Sequence, residues 1–180
     1  MSVPVLLIPG WRNSGPGHWQ SLWEAREKDA TRVEMPNWEF PRRQEWVEAL
    51  DEAVQARWRG QPEPPVLVAH SVGCQAVAHW AATFDRPVRA ALLVAPADVE
   101  RPGAPEVLRS FAPIPRARLP FPSRVVASDN DPYLSEARAR AMAEAWGAAF
   151  TLVPGGGHLN PPAGYGEWPA GEALLQEWLR

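Results

Sequence analysis

Six short runs of aliphatic or β-branched residues punctuate the chain, at residues 3–8, 31–35, 66–69, 90–95, 124–128 and 149–153. Most are apolar at consecutive rather than alternate positions. Such a strand has no polar face, as a parallel sheet covered by helices on both sides requires. Between the runs lie longer stretches with helical spacing, over residues 18–29, 42–59, 72–84, 135–146 and 170–179. The first carries Trp19, Leu22, Trp23 and Arg26. The second sets Trp46, Leu50, Ala53, Val54 and Trp58 in one stripe opposite charged residues. The third is apolar all round, as a helix buried against a sheet would be. Strands alternating with helices predict right-handed crossovers and a three-layer α/β/α sandwich, its mainly parallel sheet having about six strands. Pro102, Pro105, Pro113, Pro115, Pro120 and Pro122 make the intervening stretch irregular. No repeat, low-complexity block or long linker divides the chain, so its 180 residues predict a single domain with no room for a lid.

Composition narrows the function. Apolar residues make up 46% of the chain, enough for a core, and 18 basic against 21 acidic residues leave a net charge of −3. That balance offers no electrostatic footprint for nucleic acid or an anionic membrane. No apolar run reaches the length of a membrane span, and the first ten residues lack the basic start and cleavage site of a signal peptide. A single cysteine, Cys74, excludes an internal disulfide and a cysteine-rich metal site. A soluble, cytoplasmic protein is expected. The chain also has 10 Trp, most in helical patterns or beside turns, where burial explains them better than a sugar-binding surface.

The chemistry concentrates at Ala69-His70-Ser71-Val72-Gly73, where a strand ends and a helix begins at once. This is the setting of a nucleophile elbow, in which a tight turn lifts a serine hydroxyl clear of the sheet. The usual motif has glycine two residues before the serine, and here Ala69 stands in its place. Ser71 as a mere helix cap is the competing reading. Two later loops each follow the carboxyl end of a strand, where sites of α/β sheets assemble. One reads Ser128-Asp129-Asn130-Asp131-Pro132 and the other Pro154-Gly155-Gly156-Gly157-His158. The order Ser71, Asp131, His158 is that of the α/β-hydrolases rather than of the common proteases. Asp129 competes with Asp131 as the acid, and Asp131, deeper in its loop, is favoured. His70 is expected to face away from Ser71 by strand alternation, His79 to lie within the buried helix and His18 to open the first helix. No pair of histidines has metal-ligand spacing, and neither a metal nor a cofactor is required. The backbone amides of Val72 and Trp11 are expected to hold an oxyanion, with Arg12 the next choice for the second donor. Arg12, His18, Trp19, Tyr133, Leu159 and Asn160 lie on loops around this point and are expected to bind substrate.

The chain resembles the small serine hydrolases of the YdeN and retinoblastoma-binding-protein type. The likeness rests on Leu-Leu-Ile-Pro-Gly10-Trp, Ser14-Gly-Pro-Gly-His18-Trp19-Gln20, Val-Ala-His70-Ser71-Val-Gly73-Cys, Leu93-Val-Ala-Pro96, Ser128-Asp-Asn-Asp131-Pro-Tyr133 and Gly-Gly-His158-Leu-Asn160. It implies a lidless α/β-hydrolase with a triad of Ser71, Asp131 and His158. The L-x-C-x-E segment on which retinoblastoma binding depends is absent, so that partner is not expected.

The expected activity is hydrolysis of small carboxylic esters, short-chain or aryl, through an acyl-enzyme on Ser71. The rival readings are a catalytically silent scaffold that binds a protein or ligand, an amidase or peptidase using the same triad, and a nucleophilic Cys74.

Overall fold

The computed structural model describes residues 3–180. Met1 and Ser2, which the expected domain and the reading of the N-terminal segment include, lie outside the described residues. The strands are β1 (Val5–Ile8), β2 (Ala30–Arg32), β3 (Val66–His70), β4 (Ala90–Val94), β5 (Ser123–Ser128) and β6 (Ala149–Val153). They form one parallel sheet in the order β2-β1-β3-β4-β5-β6. The helices are α1 (Trp19–Arg26), α2 (Arg43–Trp58), α3 (Val72–Thr83), α4 (Glu136–Trp146) and α5 (Pro169–Leu179). The proline-rich stretch contributes one short 3₁₀ turn, Glu106–Phe111. None of the described helices is long and apolar enough to cross a membrane.

Because successive strand residues point to opposite faces, the apolar runs feed two cores. Leu6, Ile8, Leu67, Ala69, Leu93 and Val125 pack with α2, α3 and α4 around Trp46, Trp80 and Trp146. Val5, Leu7, Val66, Val68, Leu92 and Val126 pack on the other side, with Trp19 and Trp23 of α1 and with Trp168 and Leu175 at α5. Six tryptophans are thus core residues, as their helical spacing suggests. The chain leaves β1 for β2 on one side and returns as β3 on the other. The carboxyl ends of β1 and β3 therefore send their loops apart and open a crevice there. Gln20, fully buried, ties α1 to this point through its amide, which donates to the carbonyls of Ile8 and Val68 at 3.3 and 3.1 Å.

Two expectations are corrected in detail. The second strand ends at Arg32 rather than Met35. It is an edge strand paired only with β1, and past the Val33 amide, which still donates to the Leu7 carbonyl, ladder pairing gives way to burial of Val33 and Met35 as loop residues. In α2 the apolar stripe does not extend to Trp58, which is 38% exposed at the last helical residue. The buried face instead includes Asp51, which accepts from Trp80 Nε1 at 3.1 Å, from Arg86 at 3.0 Å and from Gln55 at 2.6 Å. Burial works against the charged carboxylate here, but the bonds from Arg86 and Trp80 outweigh it and hold the carboxyl below its ordinary value. Asp51→Ala is expected to leave the buried Trp80 N–H without an acceptor and to lower the melting temperature on the order of 5 °C. A scanning calorimeter reads this directly, and an unchanged midpoint would remove the role assigned to Asp51.

His18 caps α1, its Nδ1 accepting from the Gln20 amide at 3.1 Å. Burial, aided by the charges of Arg32 and His158, lowers its pKa from 6.5 to about 4. Burial likewise pushes His70 and His79 down. An unfolded chain takes up protons on these rings between the ordinary and the folded value while the native state does not, so stability falls with pH across that window. The melting temperature is expected to drop as pH goes from about 6.5 toward 4, and His18→Asn, which keeps a capping oxygen, should flatten that drop. An acid slope unaltered by the substitution would show that His18 is not one of the groups responsible.

Candidate active site

Ser71 lies between β3 and α3 with φ 57° and ψ −122°, a backbone state sparsely populated by residues with a side chain. The surroundings enforce it. The Ser71 amide donates to the Val94 carbonyl at 3.0 Å, and the Ser71 carbonyl accepts from Cys74 and Ala97 at 3.1 and 3.3 Å. Gly73, in the first turn of α3, sits where an added Cβ would overlap the carbonyl oxygens of Ile8 and Pro9. At Gly10 a Cβ would come within 2.9 Å of Ser71 Cβ. Two missing side chains therefore let α3 and the loop after β1 close on the serine. Ser71 accepts no α3 amide through its hydroxyl, so it is not serving as an ordinary cap.

The hydroxyl is engaged elsewhere. Ser71 Oγ lies 2.9 Å from His158 Nε2, and His158 Nδ1 lies 2.8 Å from Asp131 Oδ2. A carboxylate oxygen only accepts, so Nδ1 carries the proton given to Asp131 and Nε2 is left to accept from the serine. The Asp131 carboxylate is also fixed from the side by the Tyr133 amide, which donates to Oδ1 at 2.8 Å. Asp129 is turned elsewhere and accepts from the Gly155 amide at 2.8 Å.

Four consecutive residues, the last of β5 and the three that follow it, hold the loop after β6. The Ser128 hydroxyl donates to the Gly157 carbonyl, Asp129 accepts from Gly155, Asn130 accepts from the Gly157 amide at 2.7 Å, and Asp131 accepts from His158. Gly155 and Gly157 have φ of 67° and 57°, the left-handed region glycine adopts at least cost, which turns the histidine back toward Ser71. Beneath it, His70 Nε2 donates to the His158 carbonyl at 2.9 Å and its ring lies 4.8 Å from the His158 ring. His70 is thus oriented away from the serine hydroxyl, as alternation predicts, but it supports the histidine. Sequence reasoning did not assign it that part.

A cavity of about 240 Å³ opens beside Ser71, with Trp11, Ala97, Pro105 and Leu108 in its lining. Arg12, Arg101 and Tyr133 also line it. The Arg12 amide donates to the Trp38 carbonyl at 3.1 Å, so it is not free to receive an oxyanion, whereas Val72, first residue of α3, presents an amide with no intrahelical acceptor.

Arg12 and Tyr133 therefore stand where the sequence suggested, but four other residues do not reach the cavity. Trp19 is fully buried on the opposite face of the sheet and donates its indole N–H to the Leu159 carbonyl at 2.9 Å. Leu159, with φ 48°, turns its side chain into that same core. His18 is buried as the cap of α1, and Asn160 begins the 3₁₀ turn Pro161–Ala163. With Gly157 and Leu159 both in the left-handed region, the chain turns at His158 so that the imidazole meets Ser71 while Leu159 enters the second core. Arg101 was overlooked because it falls in the proline-rich stretch; its position after the carboxyl end of β4 is the signal that could have found it. Cys74 is fully buried, and burial pushes its thiol well above the ordinary value, which leaves it no role as a nucleophile. No group of residues suited to holding a metal ion occurs among the described residues.

A family model described as serine hydrolase matches residues 5–177. Among solved structures, a protein of Pectobacterium atrosepticum described as a YdeN-like hydrolase is 31% identical, covers 98% of this chain and 90% of its own, and superposes with a TM-score of 0.84. The ydeN product of B. subtilis is 22% identical over 98% of both chains, with a TM-score of 0.79. A thermophilic esterase from Thermogutta terrifontis shares the fold at 19% identity, with 99% and 89% coverage and a TM-score of 0.67. A search of curated proteins returned no significant match. With its parallel sheet, its serine at the sharp turn after β3 and a family match spanning nearly its whole length, the chain belongs to the serine hydrolase family, as a YdeN-like member of the α/β-hydrolase superfamily.

Proposed function

We propose that the protein hydrolyses small carboxylic esters through an acyl-enzyme on Ser71, with His158 and Asp131 completing a catalytic triad. The observation that carries this is the hydrogen-bonded chain from Ser71 through His158 to Asp131, at 2.9 and 2.8 Å, on a strained turn. His158 Nε2 takes the Ser71 proton as Oγ attacks the ester carbonyl. Asp131 keeps the imidazole in the tautomer that can accept this proton and stabilises the imidazolium that results. The oxyanion is received by the amides of Val72 and Trp11. His158 then protonates the departing alkoxide, the acyl group stays on Oγ, and a water activated by the same nitrogen releases the acid.

Cavity size supports the substrate class. About 240 Å³ is below the roughly 300–1,000 Å³ of sites for drug-sized ligands. Acetyl and butyryl esters should be turned over at least roughly tenfold more efficiently than octanoyl esters. A steady-state series with one leaving group measures this, and preference for octanoyl would overturn the size argument.

The deciding experiment is labelling with a fluorophosphonate probe and mapping of the adduct by mass spectrometry. Adduct is expected on Ser71 and should be lost in His158→Ala. Ser71→Ala should lower kcat by about 10⁴-fold or more, and Asp131→Asn by about 10³–10⁴-fold. Melting temperatures should stay within a few degrees of the parent. Iodoacetamide should leave activity intact. A folded protein that takes no probe would instead be a silent scaffold, and amide turnover exceeding ester turnover would make it an amidase.

A further inference from the structure

Arg12 and Arg101 reach the cavity from different loops, one after β1 and the other after β4, and no carboxylate lines it with them. From these two guanidiniums we infer that the ester substrate carries an anionic group, a carboxylate, in the part that occupies this cavity. The inference rests on the reading of Ser71 as an ester-cleaving nucleophile and adds the chemical class of what it cleaves.

Each arginine is placed in a way that a solvated surface residue would not need. Arg101 makes no ion pair among the described residues. Its Nη1 donates to the Asp98 carbonyl at 2.9 Å, and its guanidinium lies 5.1 Å from the centre of the Tyr133 ring, which is roughly perpendicular to the His158 ring with centres 4.8 Å apart. The charge is thereby held next to the reacting groups, with further N–H donors unspent. The nearest acids are kept from neutralising it. Arg138 clamps the Asp98 carboxylate through two bonds, at 2.9 and 3.0 Å, and holds Glu100 at 2.6 Å.

Arg12 has φ 66°, a left-handed state that glycine or asparagine would adopt more cheaply, and yet the position carries a long cation. Its guanidinium lies 4.3 Å from the ring centre of Trp11, the residue whose amide is proposed above as an oxyanion donor. Glu39 is its ionic partner at 3.2 Å, but both side chains are 62% exposed, and an exposed pair of this kind holds its members weakly. A substrate carboxylate entering the less hydrated cavity can therefore take Arg12 from Glu39. Two planar guanidiniums suit the paired oxygens of a carboxylate, and the apolar lining from Ala97, Pro105 and Leu108 suits a short hydrocarbon spacer.

The test compares matched esters that differ only in the charge. The mono-para-nitrophenyl ester of adipic acid is set beside para-nitrophenyl hexanoate, and para-acetoxybenzoate beside para-acetoxybenzamide, so the anion is tried on both the acyl and the leaving-group side. Ser71→Ala supplies the uncatalysed background. In at least one pair the anionic ester should show a kcat/KM roughly tenfold higher than its neutral partner, carried mainly by KM and shrinking as salt rises. In Arg12→Gln, Arg101→Gln and the double variant that ratio should fall toward one. Damage to the fold would lower both members of a pair together and leave the ratio standing, which would count against the inference. Equal turnover of both members by the parent protein, or preference for the neutral esters, would overturn the anionic substrate while leaving ester hydrolysis in place. Failure to turn over any of the four, together with absence of probe adduct on Ser71, would overturn both.

Discussion

The close approach of α3 to the end of β1 is the constraint on which the site depends. It brings the strained serine, the first amide of α3 and the Gly10 loop into one small volume, and it is possible only because Gly10 and Gly73 present no side chain there. The backbone of Ser71 is held off its preferred region by bonds to β4 on one side and by the glycine contact on the other. Strain of this sort persists only where the rest of the structure over-determines it. Here two buried cores on opposite faces of the sheet supply that rigidity, each filled by three large indole rings.

Much of the fold and the centre of the site could be read from residues alone, and the reason is locality. The elbow is a five-residue pattern, and consecutive apolar runs separated by helical stretches point to a parallel sheet. What could not be read depends on packing between distant segments. Asp129 and Asp131 are two residues apart and chemically alike; which one meets His158 is settled by how one loop lies along the other. Trp19, His18, Leu159 and Asn160 are near the site in sequence, but Trp19 and Leu159 pack into the core on the opposite face, His18 is spent capping α1 and Asn160 opens a 3₁₀ turn. Asp51 is a charged residue in an apolar stripe, and its burial is understandable only once Arg86 and Trp80 are seen to face it. Conversely, Arg101 sits in a stretch whose prolines conceal any periodicity.

The histidines show how one residue type is put to different uses. His158 is in contact with the serine and the cavity. His70 and His18 lie behind it, edge to face with ring centres 4.8 Å apart, and burial keeps both uncharged near neutral pH. A neutral backing means that neither of these rings presents a cation to the His158 imidazole, whose bonded anionic neighbour is Asp131.

The end of β5 and the loop that follows it fasten the loop after β6 at four successive residues, so the acid and the histidine form one stiff half of the site. The other half, built from Trp11, Pro105 and Leu108, comes from two separate segments, the first of them held to Trp38 and Glu39 rather than to the histidine loop. With Ser71, Asp131 and His158 acting as proposed, a change of substrate would require remodelling of one wall while the other is left intact. Variation after β1 and β4 would then alter specificity without disturbing the proposed proton transfer.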